Sequence, residues 1–348
     1  MSLPDPAQHG LWVNVVVFVL AAAVVWAAGT RLARDLDGIA ELTGMGRAFM
    51  GMLFLGGVTS LPEVAAVGTA AWTGNAALAT NNLLGSVAIN VMLLAVADAV
   101  LGRDALTSVV ASPATLLQGT LNIILLTVLS AAVVVGDVEV LGMGGWTILL
   151  FVLCVAAFWL SSRYSQRAPW RLAASEKGRS PQSDAGAPKR PLSRLVMRAA
   201  GAAVVILVAG YALSRSGDAL AQQTGLGAGL TGLVLVGFAT SLPELSSITA
   251  AVRLRRYEMA LGDVFGTNLL TIALLLLVDA LYAGGPVLNE AGRFEAVAAL
   301  LGAVLTGIFL VGLLERQNKT FLRMGYDAVA GLVVFAAGLA LLATLQPS

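Results

Sequence analysis

The sequence predicts an all-α polytopic membrane protein of ten transmembrane helices, arranged as two inverted five-helix repeats. Three observations carry that prediction. Of the 348 residues, 58% are hydrophobic and 12% charged, where a soluble domain has roughly 45–50% apolar and about 25% charged residues. Apolar runs long enough to cross a bilayer recur along the whole chain. One motif occurs twice, 181 residues apart. The composition excludes a soluble enzyme, a disordered protein and a secreted disulfide scaffold. The single cysteine, Cys154, forms no internal disulfide. No basic segment precedes the first apolar run, so no cleaved signal peptide is expected.

A helix crosses the roughly 30 Å hydrocarbon core with about 20 apolar residues. Ten runs qualify, at about 11–30, 45–71, 77–101, 107–134, 138–162, 195–213, 226–252, 258–283, 292–314 and 325–345. They are continuous in Leu, Val and Ala, as helices are, and do not alternate as the strands of a membrane barrel do. The second and seventh each contain Thr-Ser-Leu-Pro-Glu, the third and eighth carry a polar stripe, and the fourth lies in the charge-free stretch Leu106–Gly136. Between the fifth and sixth lies the one polar segment, Arg163 to Arg194, rich in Ser, Pro, Gln, Lys and Arg. It reads as a flexible linker. The expected units are therefore a first five-helix repeat at 1–162, a linker at 163–194 and a second repeat at 195–348.

The repeat is specific. Thr43–Glu63 falls on Thr224–Glu244 with ten of 21 positions identical, and the match runs without a gap to Asp98 and Asp279. Five spans per half is an odd number, so the second half enters the membrane the other way up. The basic residues agree, because cytoplasmic loops gather Lys and Arg. With both termini outside, 19 of the 21 Lys and Arg fall in inner loops or helix ends, and only Arg215 and Arg293 fall outside. An inverted repeat is the design of secondary transporters, with the site at the midplane between the halves.

Glu63 and Glu244 lie deep within apolar runs. An ionisable residue at that depth costs about 2.5–3.5 kcal/mol on insertion scales. No basic residue lies at that depth, so the two acids are either protonated or bound to a cation. Pro62 and Pro243 lack an N–H and break their helices near Gly56–Thr59 and Gly237–Thr240. The carbonyls of Gly56 and Gly237 are expected to be freed toward the site, and Thr59, Ser60, Thr240 and Ser241 to add hydroxyl oxygens. The competing reading is a proline kink whose hydroxyls bond to local carbonyls.

Asn82, Ser86 and Asn90 share one helical face, and their repeat partners are Asp263, Thr267 and Thr271. Gly85 and Gly266 permit close packing against the broken helices. The donor inventory is all oxygen. That excludes the Cys and His sets of zinc or copper and suits Ca²⁺ or Na⁺; Mg²⁺ gives up its waters reluctantly. Asp98 and Asp279, near helix ends, read as caps or interfacial charges.

The two Gly-x-x-Thr-Ser-Leu-Pro-Glu blocks at 56–63 and 237–244, with Gly-Ser-x-x-x-Asn at 85–90 and Gly-Thr-Asn at 266–268, are similar to the alpha repeats of sodium/calcium exchangers of the calcium/cation antiporter superfamily, prokaryotic type. The resemblance implies ten helices, an integral protein of the bacterial inner (plasma) membrane, termini outside, a cytoplasmic linker, and exchange of Na⁺ for Ca²⁺ by alternating access without enzyme chemistry or a cofactor. It implies Glu63 and Glu244 as central bidentate ligands. Thr59, Ser60, Thr240, Ser241, Ser86, Thr267 and Asn90 would surround them, with carbonyls from Gly56 and Gly237. The partners implied are Ca²⁺, Na⁺ and the lipid bilayer, with no nucleic acid, in a monomer.

The sequence departs from the family pattern at Asn81-Asn82, Val87 and Thr271, and has Asp263 where Asn is usual. An acid has thus moved two turns along one face. Asn82, Asp263 and Thr271 complete the candidate set. Asp263 is expected to line the pathway and take up a proton or a monovalent ion; the alternative is an interfacial aspartate answering Arg253, Arg255 and Arg256. A proton is the alternative counter-ion, and a cation channel the alternative class.

The inverted topology has a direct test. In a Cys154→Ser background, a cysteine at Thr73 is expected to react with an impermeant thiol reagent from outside, and one at Ser183 only after permeabilisation. Labelling of both from one side refutes the inversion.

Overall fold

The computed structural model describes residues 10–102, 104–110, 112–167, 191–224, 241–321 and 323–345. The chain begins with α1 (Leu11–Thr43). A broken second span follows, built from α2 (Arg47–Met50), a π-helical turn (Gly51–Leu55), α3 (Gly56–Thr59) and α4 (Leu61–Trp72). Then come α5 (Ala76–Leu101), the short α6 (Leu106–Val109), α7 (Pro113–Val135), a hairpin of β1 (Glu139–Val140) and β2 (Met143–Gly144), and α8 (Gly145–Arg167). After the linker stand α9 (Leu192–Gln223), α10 (Leu242–Arg253), α11 (Tyr257–Leu281), a 3₁₀ turn (Val287–Glu290) and α12 (Arg293–Glu315). A second hairpin, β3 (Thr320–Phe321) with β4 (Met324–Gly325), leads into α13 (Tyr326–Leu345).

Eight of these helices are long and apolar enough to cross a membrane. Arg47–Thr59 and Leu61–Trp72, bent by 49°, make a ninth if taken as one span. α10 is the described part of the seventh expected span; Gly237 and Thr240 lie outside the described residues. α1 runs past its apolar stretch to Thr43 because its last turns still bury Leu32, Ala33, Leu36 and Ala40.

The proline breaks the second span later than expected. A π turn at Gly51–Leu55 comes first, Gly56–Thr59 is still helical, and the break is at Ser60. Pro62 withdraws the N–H that would reach the carbonyl of Val58, four residues back. The helices that carry the two prolines begin alike: Val64 N donates to Ser60 O and Leu245 N to Ser241 O, each at 3.0 Å. Proline in the first turn of α4 and α10 suits its fixed φ and missing donor.

Helices α5 and α11 form the centre: 78% and 67% of their spanning residues are buried, against 22% for α1 and α9 and 17% for α13. α7, α8, α12 and α13 pack around them, while α1 and α9 lie along each other and rest on α10 and α4. The apolar interior falls into two large clusters, one around Phe265 and Phe309, the other around Leu84, Leu126 and Leu275. At one end of α1, a single oxygen of Asp37 accepts from Arg47 at 3.0 Å and from Arg256 at 2.7 Å, and Arg198 of α9 donates to Asp35 at 3.2 Å.

Glycine sets the closest approach. The Cα of Gly266 faces the backbone of Met52, and that of Gly262 the carbonyl of Ala48; from the other side, Gly51 faces the carbonyl of Met259. A Cβ at Gly56 would stand 2.9 Å from both Asp263 O and Thr267 N. The segment α2–π–α3 therefore lies backbone to backbone on α11, the contact that small residues allow between membrane helices.

The two hairpins also repeat at an offset of 181, as Leu141-Gly-Met-Gly144 and Leu322-Arg-Met-Gly325. Gly142 and Arg323 occupy the same turn position with φ of 80° and 69°. This part of the internal match lies beyond the stretch that the motifs reveal.

Gly266→Val is expected to cost about 3 kcal/mol or more, because the atoms its side chain meets are backbone and cannot yield. The measurement is the thermal unfolding midpoint in detergent, with Gly201→Val, where a Cβ meets nothing within 4 Å, as the neutral control.

Candidate cation site

Both glutamates stand in the first turn of a helix, Glu63 in α4 and Glu244 in α10. The partial positive charge of a helix N-terminus favours an anion there. Glu63 is 5% exposed and Glu244 1%. The fold brings them together: Glu244 lies within electrostatic range of the carboxylates of Glu63 and Asp263. Ser86 of α5 is within hydrogen-bonding reach of Glu63, and Thr59 of α3 within reach of Glu244 and Asp263. Oxygens from both halves thus converge on one place, and the ion pairs among the described residues engage none of these three carboxylates.

The local geometry answers the competing reading in part. Thr59 Oγ1 donates to Leu55 O at 3.1 Å and Gly56 O at 3.2 Å, and Ser60 Oγ donates to Gly56 O at 2.8 Å. Their protons go to the backbone, as in an ordinary kink. A hydroxyl that spends its proton this way still has a lone pair to offer. The expectation of a freed Gly56 carbonyl does not hold. That oxygen takes both hydroxyls and the N–H of Ser60 at 3.1 Å. The reason is register, since the proline removes the partner of Val58 and not of Gly56.

The stripe residues are placed as follows. Asn90, Thr267 and Thr271 are buried, and Asn82 is half-buried. Ser86 Oγ donates to Leu83 O at 2.9 Å. Ser241 Oγ donates to Asn90 Oδ1 at 3.2 Å, and Asn90 Nδ2 reaches Asn268 Oδ1 at 3.4 Å, a polar seam between the halves. Asp263 is wholly buried and accepts from Ser247 Oγ. It is therefore no interfacial answer to the arginines after α10, of which Arg256 pairs with Asp37.

Buried oxygens without a hydrogen-bond partner occur here on Glu63 Oε2, both oxygens of Glu244, Asp263 Oδ1 and Thr267 Oγ1, and Thr271 Oγ1, one turn further along α11, has none either. Leaving such groups unsatisfied costs about 1–3 kcal/mol each, and more when charged. Among the described residues no three or more His, Cys, Asp or Glu side chains group closely enough to hold a metal. A cation here would take a carboxylate or two and complete its shell with hydroxyl and amide oxygens, which suits a hard ion with flexible coordination.

Three features escaped the sequence reading. Ser247, one turn after Glu244, holds Asp263. Asn268 was visible within Gly-Thr-Asn, but its pairing with Asn90 was not. Thr115, Gln118 and Asn122 line one wholly buried face of α7, and Asn122 Nδ2 donates to Phe265 O at 3.0 Å. The i, i+3, i+7 spacing inside a charge-free run was the available signal.

A family model described as "Sodium/calcium exchanger protein" matches residues 13–161 and 195–344. The CaxA protein of Alkalimonas amylolytica is 26% identical over 323 residues, 87% of this chain and 92% of that protein. Inner membrane protein YrbG of Escherichia coli (strain K12) is 26% identical over 294 residues, 83% of this chain and 85% of that protein. The fold is similar to that of the sodium-calcium exchanger NCX_Mj soaked with 10 mM Na⁺ and zero Ca²⁺, with a TM-score of 0.68 at 17% identity, covering 95% of this chain and 99% of that one.

Proposed function

Because the chain belongs to the sodium/calcium exchanger family, whose model matches most of its length, we propose that it exchanges Ca²⁺ for Na⁺ across the membrane by alternating access. The observation that carries the reading is the set of buried, unpartnered oxygens on Glu63, Glu244, Asp263, Thr267 and Thr271, contributed by both halves with no basic residue among them. Such a set is stable when a cation fills it, or when protons do. Glu63 and Glu244 carry the charge that a divalent ion needs. Thr59, Ser60, Ser86, Asn90, Ser241 and Thr267 supply neutral oxygens, and Thr240 and Gly237 join them from outside the described residues.

Under this reading the halves are inverted repeats at 1–162 and 195–348, joined by a cytoplasmic linker at 163–194, with both termini outside and the membrane a bacterial inner membrane. Transport makes and breaks no covalent bond and needs no cofactor. Two Na⁺ or more can enter the same oxygens in turn, because Na⁺ accepts the same hard donors. A proton is the second reading for the counter-ion, and Asp263 is the observation that favours it: a third buried carboxylate whose repeat partner, Asn82, is neutral.

The deciding experiment is Ca²⁺ uptake into proteoliposomes driven in turn by Na⁺, K⁺ and H⁺ gradients. Uphill Ca²⁺ movement driven by Na⁺ supports the reading, and movement only down the Ca²⁺ gradient, as through a channel, sinks it. Glu63→Gln and Glu244→Gln are each expected to abolish Ca²⁺ flux while the protein stays folded, since each removes half the glutamate charge facing the ion. Wild-type flux in either folded variant overturns the assignment. Asp263→Asn is expected to keep Ca²⁺ flux and to change its dependence on pH or Na⁺. Unchanged dependence on both places Asp263 outside the mechanism.

A further inference from the structure

The two aspartates that the sequence reads as caps or interfacial charges are neither exposed nor merely local. Asp98 and Asp279 are each 2% exposed. Asp98 Oδ1 accepts from Leu106 N at 2.5 Å, which does cap the short α6, but Oδ2 accepts from Gly325 N at 2.5 Å, in the hairpin of the other half. Asp279 repeats the arrangement 181 residues on. Its Oδ1 accepts from Val287 N at 2.6 Å, and its Oδ2 from Gly144 N at 2.5 Å and Thr147 Oγ1 at 2.7 Å. Carboxylate, turn amide and hairpin amide all correspond at one offset, although the partners Gly325 and Gly144 lie in opposite halves. Each half thus supplies the hairpin that the other half's central helix grips.

We propose that Asp98 and Asp279 are positioning residues for cation selection: each fastens the end of one stripe helix to the opposite hairpin and thereby sets where that stripe's oxygens stand. The proposal rests on the cation-transport reading above. Asp98 follows Asn90 by eight residues and Ser86 by twelve, and Asp279 follows Thr271 and Thr267 by the same intervals. At about 1.5 Å per residue the clamps stand roughly 12 and 18 Å along the helix from the stripe oxygens. They touch no ion. The hairpins are in turn rooted in the packed frame, because β2 runs directly into α8 and β4 into α13. A helix held at its end against that frame cannot slide along its axis. Cation choice is sensitive to such sliding: Ca²⁺ wants oxygens at about 2.3–2.6 Å and Mg²⁺ at about 2.0–2.1 Å, a difference of a few tenths of an ångström. An asparagine cannot replace either aspartate, since its NH₂ side donates where the second amide also donates.

The test compares half-saturating concentrations of Ca²⁺, Sr²⁺ and Mn²⁺ for transport in proteoliposomes. Asp98→Asn and Asp279→Asn are expected to raise the Ca²⁺ value several-fold and to alter the ratios among the three ions. A loss of folded protein lowers the maximal rate and leaves those ratios alone. Thr147→Val, which removes one bond of the second clamp, is expected to shift the ratios in the same direction by less, and serves if either asparagine variant fails to fold. Glu295→Gln is the control, because that buried carboxylate accepts from Gly292 N at the start of its own helix, α12, and belongs to neither hairpin. Amide hydrogen exchange is followed in the same proteins, with exchange at Gly325 expected to quicken in Asp98→Asn and at Gly144 in Asp279→Asn. A wild type that carries cations, with ratios unchanged in all three variants, overturns the positioning role alone. A wild type that carries none, with exchange still quickened at the two glycines, overturns the transport reading and the positioning role with it. Exchange that stays slow at both glycines overturns the clamps themselves.

Discussion

Everything near the site depends on one contact, the backbone of α2–π–α3 lying directly on the backbone of α11. Gly51 and Gly56 on one side and Gly262 and Gly266 on the other make it possible. Between membrane helices there is no hydrophobic drive, so close packing and interhelical hydrogen bonds carry the association. This contact sets the carbonyls of Met52 and Asp263 against their neighbours and puts Thr59 beside Asp263 and Glu244. A side chain larger than hydrogen at Gly266 would move the broken span away and carry the Glu63 helix with it.

Given that contact, the charge problem follows. Two helices begin with proline and glutamate in the first turn, and the fold brings the acids within electrostatic range of one another. Repulsion between them is eased because each sits near a helix N-terminus, whose partial positive charge favours an anion. The hydroxyls are satisfied locally and keep lone pairs for the site. Thr59 serves two places at once: its hydroxyl stitches the break to the carbonyls of Leu55 and Gly56 and lies within reach of Glu244 and Asp263.

Much of this was legible in the sequence because it rests on local covalent facts. Proline lacks a donor, glutamate carries charge, and residues spaced by four share a helical face; these place Glu63, Glu244, Ser86, Asn90 and Thr267 without any tertiary knowledge. What was not legible depends on long-range register. The π turn at Gly51–Leu55 forms where Gly51 meets the Met259 carbonyl, a partner more than two hundred residues away. The occupied carbonyl of Gly56 is of the other kind, since proline at 62 removes the partner of Val58, four residues back, and leaves that of Gly56 in place. Asn268 needed Asn90 across the seam, and Ser247 needed Asp263 on the next helix. The α7 stripe was visible but isolated, since its repeat partners are Ala296, Ala299 and Ala303 and the internal comparison passes over it.

The crossed clamps also bear on how the chain is made. Asp279 is synthesised after Gly144, so its partner is waiting when α11 enters the membrane. Asp98 has no such luck, since Gly325 is 227 residues downstream. At roughly 5–20 residues per second, ribosomes need on the order of 10–50 seconds to cover that distance. Throughout that interval the end of α5 has its α6 cap but not its hairpin. The first half is therefore inserted before it is locked, and its final tightening waits until the second hairpin emerges ahead of α13.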